Sequence, residues 1–316
     1  MIYIVILIIL FILEILYFKV ADRFNIIDKP NERSSHTLVT LRGGGIIFYF
    51  AALIYFIWSG FNYPWFFLGL TLMSTVSFLD DIFTLSNRIR LIIHFTSVLL
   101  MAYELNVFEM PWYFLLITFI IVVGVINAYN FMDGINGITA CYSLSVGTLL
   151  MIVNNDVNFV DQNLLSFTML GVLVFAFFNF RNKAQAFAGD VGSVTIAFVL
   201  TFSLFSLILK TGNLIYILFL FMYGLDSILT IFKRLLNREN IFEAHRTHLY
   251  QYLANEGGVN KLIVSFSFGF LQLLIGLSVV FVTRYSMFIQ LFYSIFLIIV
   301  FIIAYVCLKN YFIKKY

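Results

Sequence analysis

Apolar runs of bilayer-crossing length dominate this sequence and limit what it can fold into. A membrane-spanning helix needs roughly 20 mostly apolar residues, with about 17 tolerated. Eleven stretches qualify, at about 2–20, 45–60, 63–79, 89–105, 111–129, 137–153, 164–180, 191–209, 213–232, 262–283 and 286–308. Hydrocarbon cannot hydrogen-bond open strand edges, so the spans are expected to be helical. The first run lacks a basic leader and a small-residue cleavage site, which favours a span over a signal peptide. The expected fold is all-α: a polytopic integral membrane protein of about 11 transmembrane helices.

Composition narrows the function classes. The 316 residues are 62% hydrophobic and 11% charged, whereas soluble domains are about half apolar and a quarter charged. A water-soluble enzyme, a disordered chain and a nucleic-acid binder are excluded, so no nucleic-acid partner is expected. Both cysteines, Cys141 and Cys307, lie in apolar runs, which argues against a disulfide scaffold. With three prolines and no linker-like segment, residues 1–316 read as one transmembrane domain.

Basic residues orient the spans. With the N-terminus outside, segments 19–44, 80–90, 130–136, 181–190, 233–261 and 309–316 hold 17 of the 19 Lys and Arg, leaving only Lys210 and Arg284 opposite. Those segments and the C-terminus are therefore expected to be cytoplasmic, with Trp58, Trp65 and Trp112 at the outer boundary. Ten of the 16 acids and three of the four histidines also fall in the inner loops. Any active-site cleft should face the cytoplasm.

Four inner segments carry groups suited to phosphate chemistry, and a fifth adds imidazoles. Arg33, His36 and Arg42 precede Gly43-Gly44-Gly45 and could reach an anion that the glycine backbone approaches closely; a flexible, positively charged connection would look the same. Asp80 and Asp81 end the third span as adjacent carboxylates, costly without a nearby cation, and a hard divalent metal would offset that cost. Asn127, Asn130 and Asp133 recur every three residues, so they share one helix face before the Gly134–Gly137 turn containing Asn136. Asp190, in Gly189-Asp190-Val191-Gly192-Ser193, reads either as a helix N-cap or as a metal ligand beside phosphate-binding amides. His245, Arg246 and His248 suit a phosphorylated substrate better than zinc, because no third soft ligand accompanies them.

In this order, DKPNERSSH…RGGG at 28–45, Asp80-Asp81, NAYNFMDGING at 127–137, GDVGS at 189–193 and HRTHLYQ at 245–251 resemble the polyprenyl-phosphate N-acetylhexosamine-1-phosphate transferases. That membrane superfamily includes the phospho-MurNAc-pentapeptide translocase, and HRTHLYQ looks closer to the O-antigen and capsule initiating branch. The chain departs from the family pattern at Asn136, where many relatives have a second acid, and at Tyr223, where a proline commonly precedes the ninth-helix acid, here Asp226.

The resemblance implies transfer of N-acetylhexosamine-1-phosphate from a UDP-sugar to undecaprenyl phosphate, giving a lipid-diphosphate-sugar and UMP at the bacterial inner membrane. It implies Mg²⁺ as cofactor, with Mn²⁺ as an alternative. Asp80 and Asp81 would be the catalytic pair, and Asp190 with Asp81 the metal ligands. Arg33, His36, Arg42, Asn127, Asn130, Asp133, Asn136, His245, Arg246 and His248 would bind substrate. Direct attack by the lipid phosphate and an aspartyl intermediate both remain open, as do the sugar (GlcNAc, FucNAc, QuiNAc or a bacillosamine type) and a homodimer. The competing class is a secondary transporter or flippase. Such proteins favour ionisable groups at mid-membrane and internal repeats; here, of the acids, only Glu14 and Asp226 lie away from the span ends, and no repeat is visible.

Overall fold

The computed structural model describes residues 1–30, 38–83, 85–240 and 246–315, with side chains through 312. The chain is mostly helical. In order come α1 (Ile2–Arg23), α2 (Ile46–Trp58), α3 (Pro64–Phe83), α4 (Asn87–Glu104), α5 (Trp112–Met132) and α6 (Ile138–Val157), then α7 (Gln162–Asn179) and α8 (Gly189–Thr211). After a 3₁₀ stretch (Leu214–Leu220) follow α9 (Phe221–Leu236), the single turn α10 (Leu249–Gln251), α11 (Lys261–Val282) and α12 (Met287–Lys315).

Each of the eleven expected ranges falls on helix. Among the described residues, nine helices are long and apolar enough to cross a membrane, counting Leu214–Leu236 as one; α2 is a shorter apolar helix. The chain is therefore a multi-pass membrane protein. The all-α expectation needs one correction. Strands β1 (Ile27–Asp28) and β2 (Thr40–Leu41) pair antiparallel, a ladder too short to leave a period-two signal in the sequence.

The helix α8 is the axis of the bundle, with 94% of its apolar window buried, while α12 on the rim has 11%. Lipid tails give little hydrophobic drive between helices, so close packing and polar contacts hold them together. At the start of α8 a Cβ on Gly45 would lie 2.3 Å from the Gly192 Cα, so the two helix beginnings touch backbone to backbone. Deeper in, the Ser74 and Thr195 hydroxyls are 2.7 Å apart and join α3 to α8. The break before α9 is repaired from α11: Gln272 Oε1 accepts from the Met222 amide at 3.0 Å, and its Nε2 donates to the Leu218 carbonyl at 3.1 Å.

Helix directions alternate, so the ends of α1, α3, α5, α7, α9 and α12 meet the beginnings of α2, α4, α6, α8 and α11 at one end of the bundle. The described residues of the motif-bearing loops lie at that end.

Candidate active site

Backbone pairing builds the site by joining residues 41–45 to residues 187 and 188. The Phe187 amide donates to the Leu41 carbonyl at 2.8 Å, and the Gly44 and Gly45 amides donate to Phe187 and Ala188 at 2.8 and 3.1 Å. This strip fixes Arg42 beside the start of α8, and the Tyr17 hydroxyl secures it by donating to the Arg42 carbonyl at 2.6 Å. The glycine run thus approaches protein backbone, not open space for an anion.

The Asp80-Asp81 pair does not converge, because successive residues on a helix point about 100° apart. Asp80 turns toward α4: its Oδ2 lies 2.8 Å from Arg90 Nη1, and its Oδ1 accepts from the Leu85 amide at 2.7 Å. Asp81 turns toward α8, where Oδ1 and Oδ2 accept from the Asp190 and Val191 amides, each at 3.1 Å. Its Oδ1 also lies 2.7 Å from Arg42 Nε, and its side chain is fully buried. The cations beside the two acids are therefore arginines. Asp81 caps α8 from another helix, satisfying amides that Asp190 was one candidate to satisfy. Gly189, at φ +71° with Asp81 Oδ2 2.6 Å from where a Cβ would sit, makes the turn into that cap.

Asp190 is left as the accessible carboxylate of the group, its side chain a quarter exposed and 3.6 Å from Arg42 Nη2. Asn130 Nδ2 donates to its Oδ1 at 3.0 Å and reaches Ser193 Oγ at 3.4 Å. Asp133 follows at the end of α5, its Oδ1 accepting from Thr139 Oγ1 at 2.6 Å. Burial would push the Arg42 guanidinium down, but Asp81, then Asp190 and Asp28, outweigh it and hold it above its usual value. Asp133 is pushed up to about 7, first by burial and then by the charges of Asp190 and Asp81, against Thr139 and Arg42. Asp81 and Asp190 thus share one guanidinium, with Asp133 close enough to feel both charges, an excess of negative charge that a cation would relieve.

Asp133 gives a testable pH dependence. A carboxyl whose folded value is raised favours the fold while protonated, and that contribution disappears as pH rises through about 7. Asp133→Asn is therefore expected to melt at a higher temperature than the parent at pH 8 and to lose that advantage toward pH 5. Equal melting differences at both pH values would contradict the assignment.

Other sequence candidates are placed differently. Asn127 is exposed one turn away from Asn130. Asn136 is buried and bonds the Arg181 and Asn182 carbonyls at 2.7 and 3.3 Å, which ties its turn to the α7–α8 loop. Arg246 is partly exposed, with Nη2 3.9 Å from Glu256. His248 is 1% exposed, with Nδ1 3.4 Å from Asp226. Arg33, His36 and His245 lie outside the described residues. The sequence places Arg88 and Arg90 just after Asp80-Asp81 without showing which acid Arg90 meets, and it does not single out Thr139 or Ser193 as partners of these groups. Ser193 stood inside a quoted motif, whereas nothing in the sequence marks Thr139, which packs back across the glycine turn.

Residues 63–209 match the family model described as glycosyl transferase family 4. The chain is 28% identical over 296 residues to the undecaprenyl-phosphate alpha-N-acetylglucosaminyl 1-phosphate transferase of Thermotoga maritima, covering 89% of this chain and 87% of that protein. It is 23% identical over 267 residues to the probable undecaprenyl-phosphate N-acetylglucosaminyl 1-phosphate transferase of Bacillus subtilis, covering 78% and 74%. A shorter match, 27% over 175 residues covering 50% and 57%, is to the phospho-N-acetylmuramoyl-pentapeptide-transferase of Thermotoga maritima. The family model takes in Asp80-Asp81, Asn130, Asp133 and Asp190, the acids and the amide that the fold gathers at one end of the bundle, and over that stretch the chain is similar to glycosyl transferase family 4.

Proposed function

We propose that this protein transfers N-acetylhexosamine-1-phosphate from a UDP-sugar to undecaprenyl phosphate at the bacterial inner membrane, with the loop end of the bundle in the cytoplasm. The observation that carries this reading is the cluster of Arg42, Asp190, Asn130 and Asp133 at one end of a membrane bundle. A charged nucleotide can enter there from water while a lipid phosphate arrives along the helices. The names of the relatives support the lipid phosphate and the N-acetylglucosaminyl 1-phosphate group that is transferred.

In the reaction a lipid phosphate oxygen bonds to the β-phosphorus of the donor. The bond from that phosphorus to the bridging oxygen breaks, and UMP leaves carrying the oxygen. The residues fit a hard divalent cation in kind, since Asp190 and Asp133 offer carboxylates and the cluster carries excess negative charge. Mg²⁺ takes one or two carboxylates and completes its shell with water and substrate phosphate. Mg²⁺, or Mn²⁺ in its place, would be held by Asp190 and Asp133 and would neutralise charge building on the reacting phosphate. Asn130 orients Asp190, and Arg42 offers its exposed edge to a phosphate oxygen. The Asp81 oxygens are occupied by two amides and a guanidinium, which favours direct attack by the lipid phosphate over an intermediate on that residue.

Purified protein with Mg²⁺, undecaprenyl phosphate and a panel of UDP-N-acetylhexosamines is expected to release UMP only when the lipid is present. Substrate flux in proteoliposomes without any UMP would replace this reading with transport.

A further inference from the structure

The proposed transfer chemistry makes no use of a deeply buried ionic network between α9 and α12. Asp226 on α9 is 2% exposed, and Lys309 on α12 is 3% exposed. Charges buried beside lipid are costly unless each is met by partners. Here the partners are specific. Asp226 Oδ1 accepts from the Leu249 amide at 3.0 Å, from Thr230 Oγ1 at 3.2 Å and from the Tyr305 hydroxyl at 3.2 Å. Its Oδ2 takes the Tyr250 amide at 3.4 Å. From the other side Lys309 Nζ donates to the Thr247 carbonyl at 2.6 Å and to the Tyr305 hydroxyl at 2.8 Å.

The loop backbone is therefore gripped through both kinds of group. The carboxylate holds the amides of 249 and 250, the ammonium holds the carbonyl of 247, and Tyr305 links the two. The far end of the grip reaches the site. The Tyr250 hydroxyl donates to the Phe131 carbonyl at 2.9 Å, two residues before Asp133, and its oxygen lies 2.1 Å from where a Cβ on Gly134 would sit. A shift of residues 247–250 moves Tyr250 and with it the end of α5 that carries Asn130 and Asp133.

An apolar cleft of about 290 Å³ separates α9, α11 and α12 beside Asp226 and Tyr305. The polar contacts thus fix the register of a helix whose apolar surface mostly faces outward.

We propose that Asp226, Tyr305 and Lys309 form a positioning clamp that seats residues 247–250 against the end of α5, so that α12 sets the geometry of the active site without touching substrate. The effect on turnover rests on the transferase reading above; the clamp itself does not.

The test uses the full-length protein in detergent, with hydrogen exchange of the 246–251 segment measured beside UMP release. Lys309→Met is expected to speed exchange in that segment and to lower kcat/KM for the sugar nucleotide ~10-fold, mainly through KM, because small displacements of binding groups weaken catalysis at a distance. Lys309→Arg, which keeps a donor for Thr247, should recover most of both. Tyr305→Phe removes one hydroxyl and gives the same test in a milder form should Lys309→Met fail to fold. Unchanged exchange in folded Lys309→Met or Tyr305→Phe would overturn the clamp, and faster exchange with unaltered kinetics would overturn its positioning role. Exchange responding as expected in a protein that releases no UMP would overturn the transferase reading and leave the clamp standing.

Discussion

Asp190→Asn is expected to lower UMP release by roughly 10³-fold, because losing charge stabilisation worth several kcal/mol costs about a factor of ten per 1.4 kcal/mol. The fold should survive. Asp190 is a quarter exposed, and the amides at the start of α8 are satisfied by Asp81, not by Asp190. The asparagine keeps an oxygen for Asn130 but carries no charge for a cation. The check is turnover beside thermal melting at matched pH. A variant that melts within about a degree of the parent and keeps a tenth or more of its turnover would remove Asp190 from the proposed chemistry.

Asp81→Ala should fail in the opposite order, with stability lost first. Deleting one partner of a fully buried ion pair costs about 3–5 kcal/mol, and the loss here is expected below that range because Arg42 is a third exposed and keeps Asp190 as a partner. The substitution takes the nearer carboxylate from Arg42 and strands two amides at the head of the most buried helix. Melting should fall by several degrees or more, and activity should fall with it as Arg42 and Asp190 lose their alignment. Asp81→Asn keeps an acceptor oxygen and should sit between parent and alanine in both measurements. If Asp81→Ala melted like the parent but were inactive, Asp81 would act on substrate or metal directly, as the family resemblance implies.

These two acids show where sequence reading succeeds and where it stops. Long apolar runs announce helices because nothing else buries backbone in lipid, and all eleven ranges fall on helix. The polar face ending in Asp133 and the Gly-Asp start of α8 also announced themselves by local spacing, and the fold joins them through Asn130 and Asp190. What was hidden is the identity of neighbours. Asp81 caps a helix more than a hundred residues away, and periodicity describes a face but not what it meets. Adjacent carboxylates looked like a metal pair because the sequence could not show Arg90 and Arg42 taking one each. His248 and Asn136 stood in polar motifs, yet each serves to pin a loop: His248 against Asp226, and Asn136 against the carbonyls of 181 and 182. Lys309 read as a basic tail residue, and only the position of α12 beside Thr247 reveals its buried amine.

The reaction itself is most directly tested by following the phosphorus. A UDP-N-acetylhexosamine labelled only at the β-phosphate is incubated with the protein, Mg²⁺ and undecaprenyl phosphate, and the products are separated. Sugar-1-phosphate transfer puts all of the consumed label into the lipid and leaves the released UMP unlabelled. Label recovered in released UDP, with sugar alone on the lipid, would show that a different bond is broken and that the site has been misread.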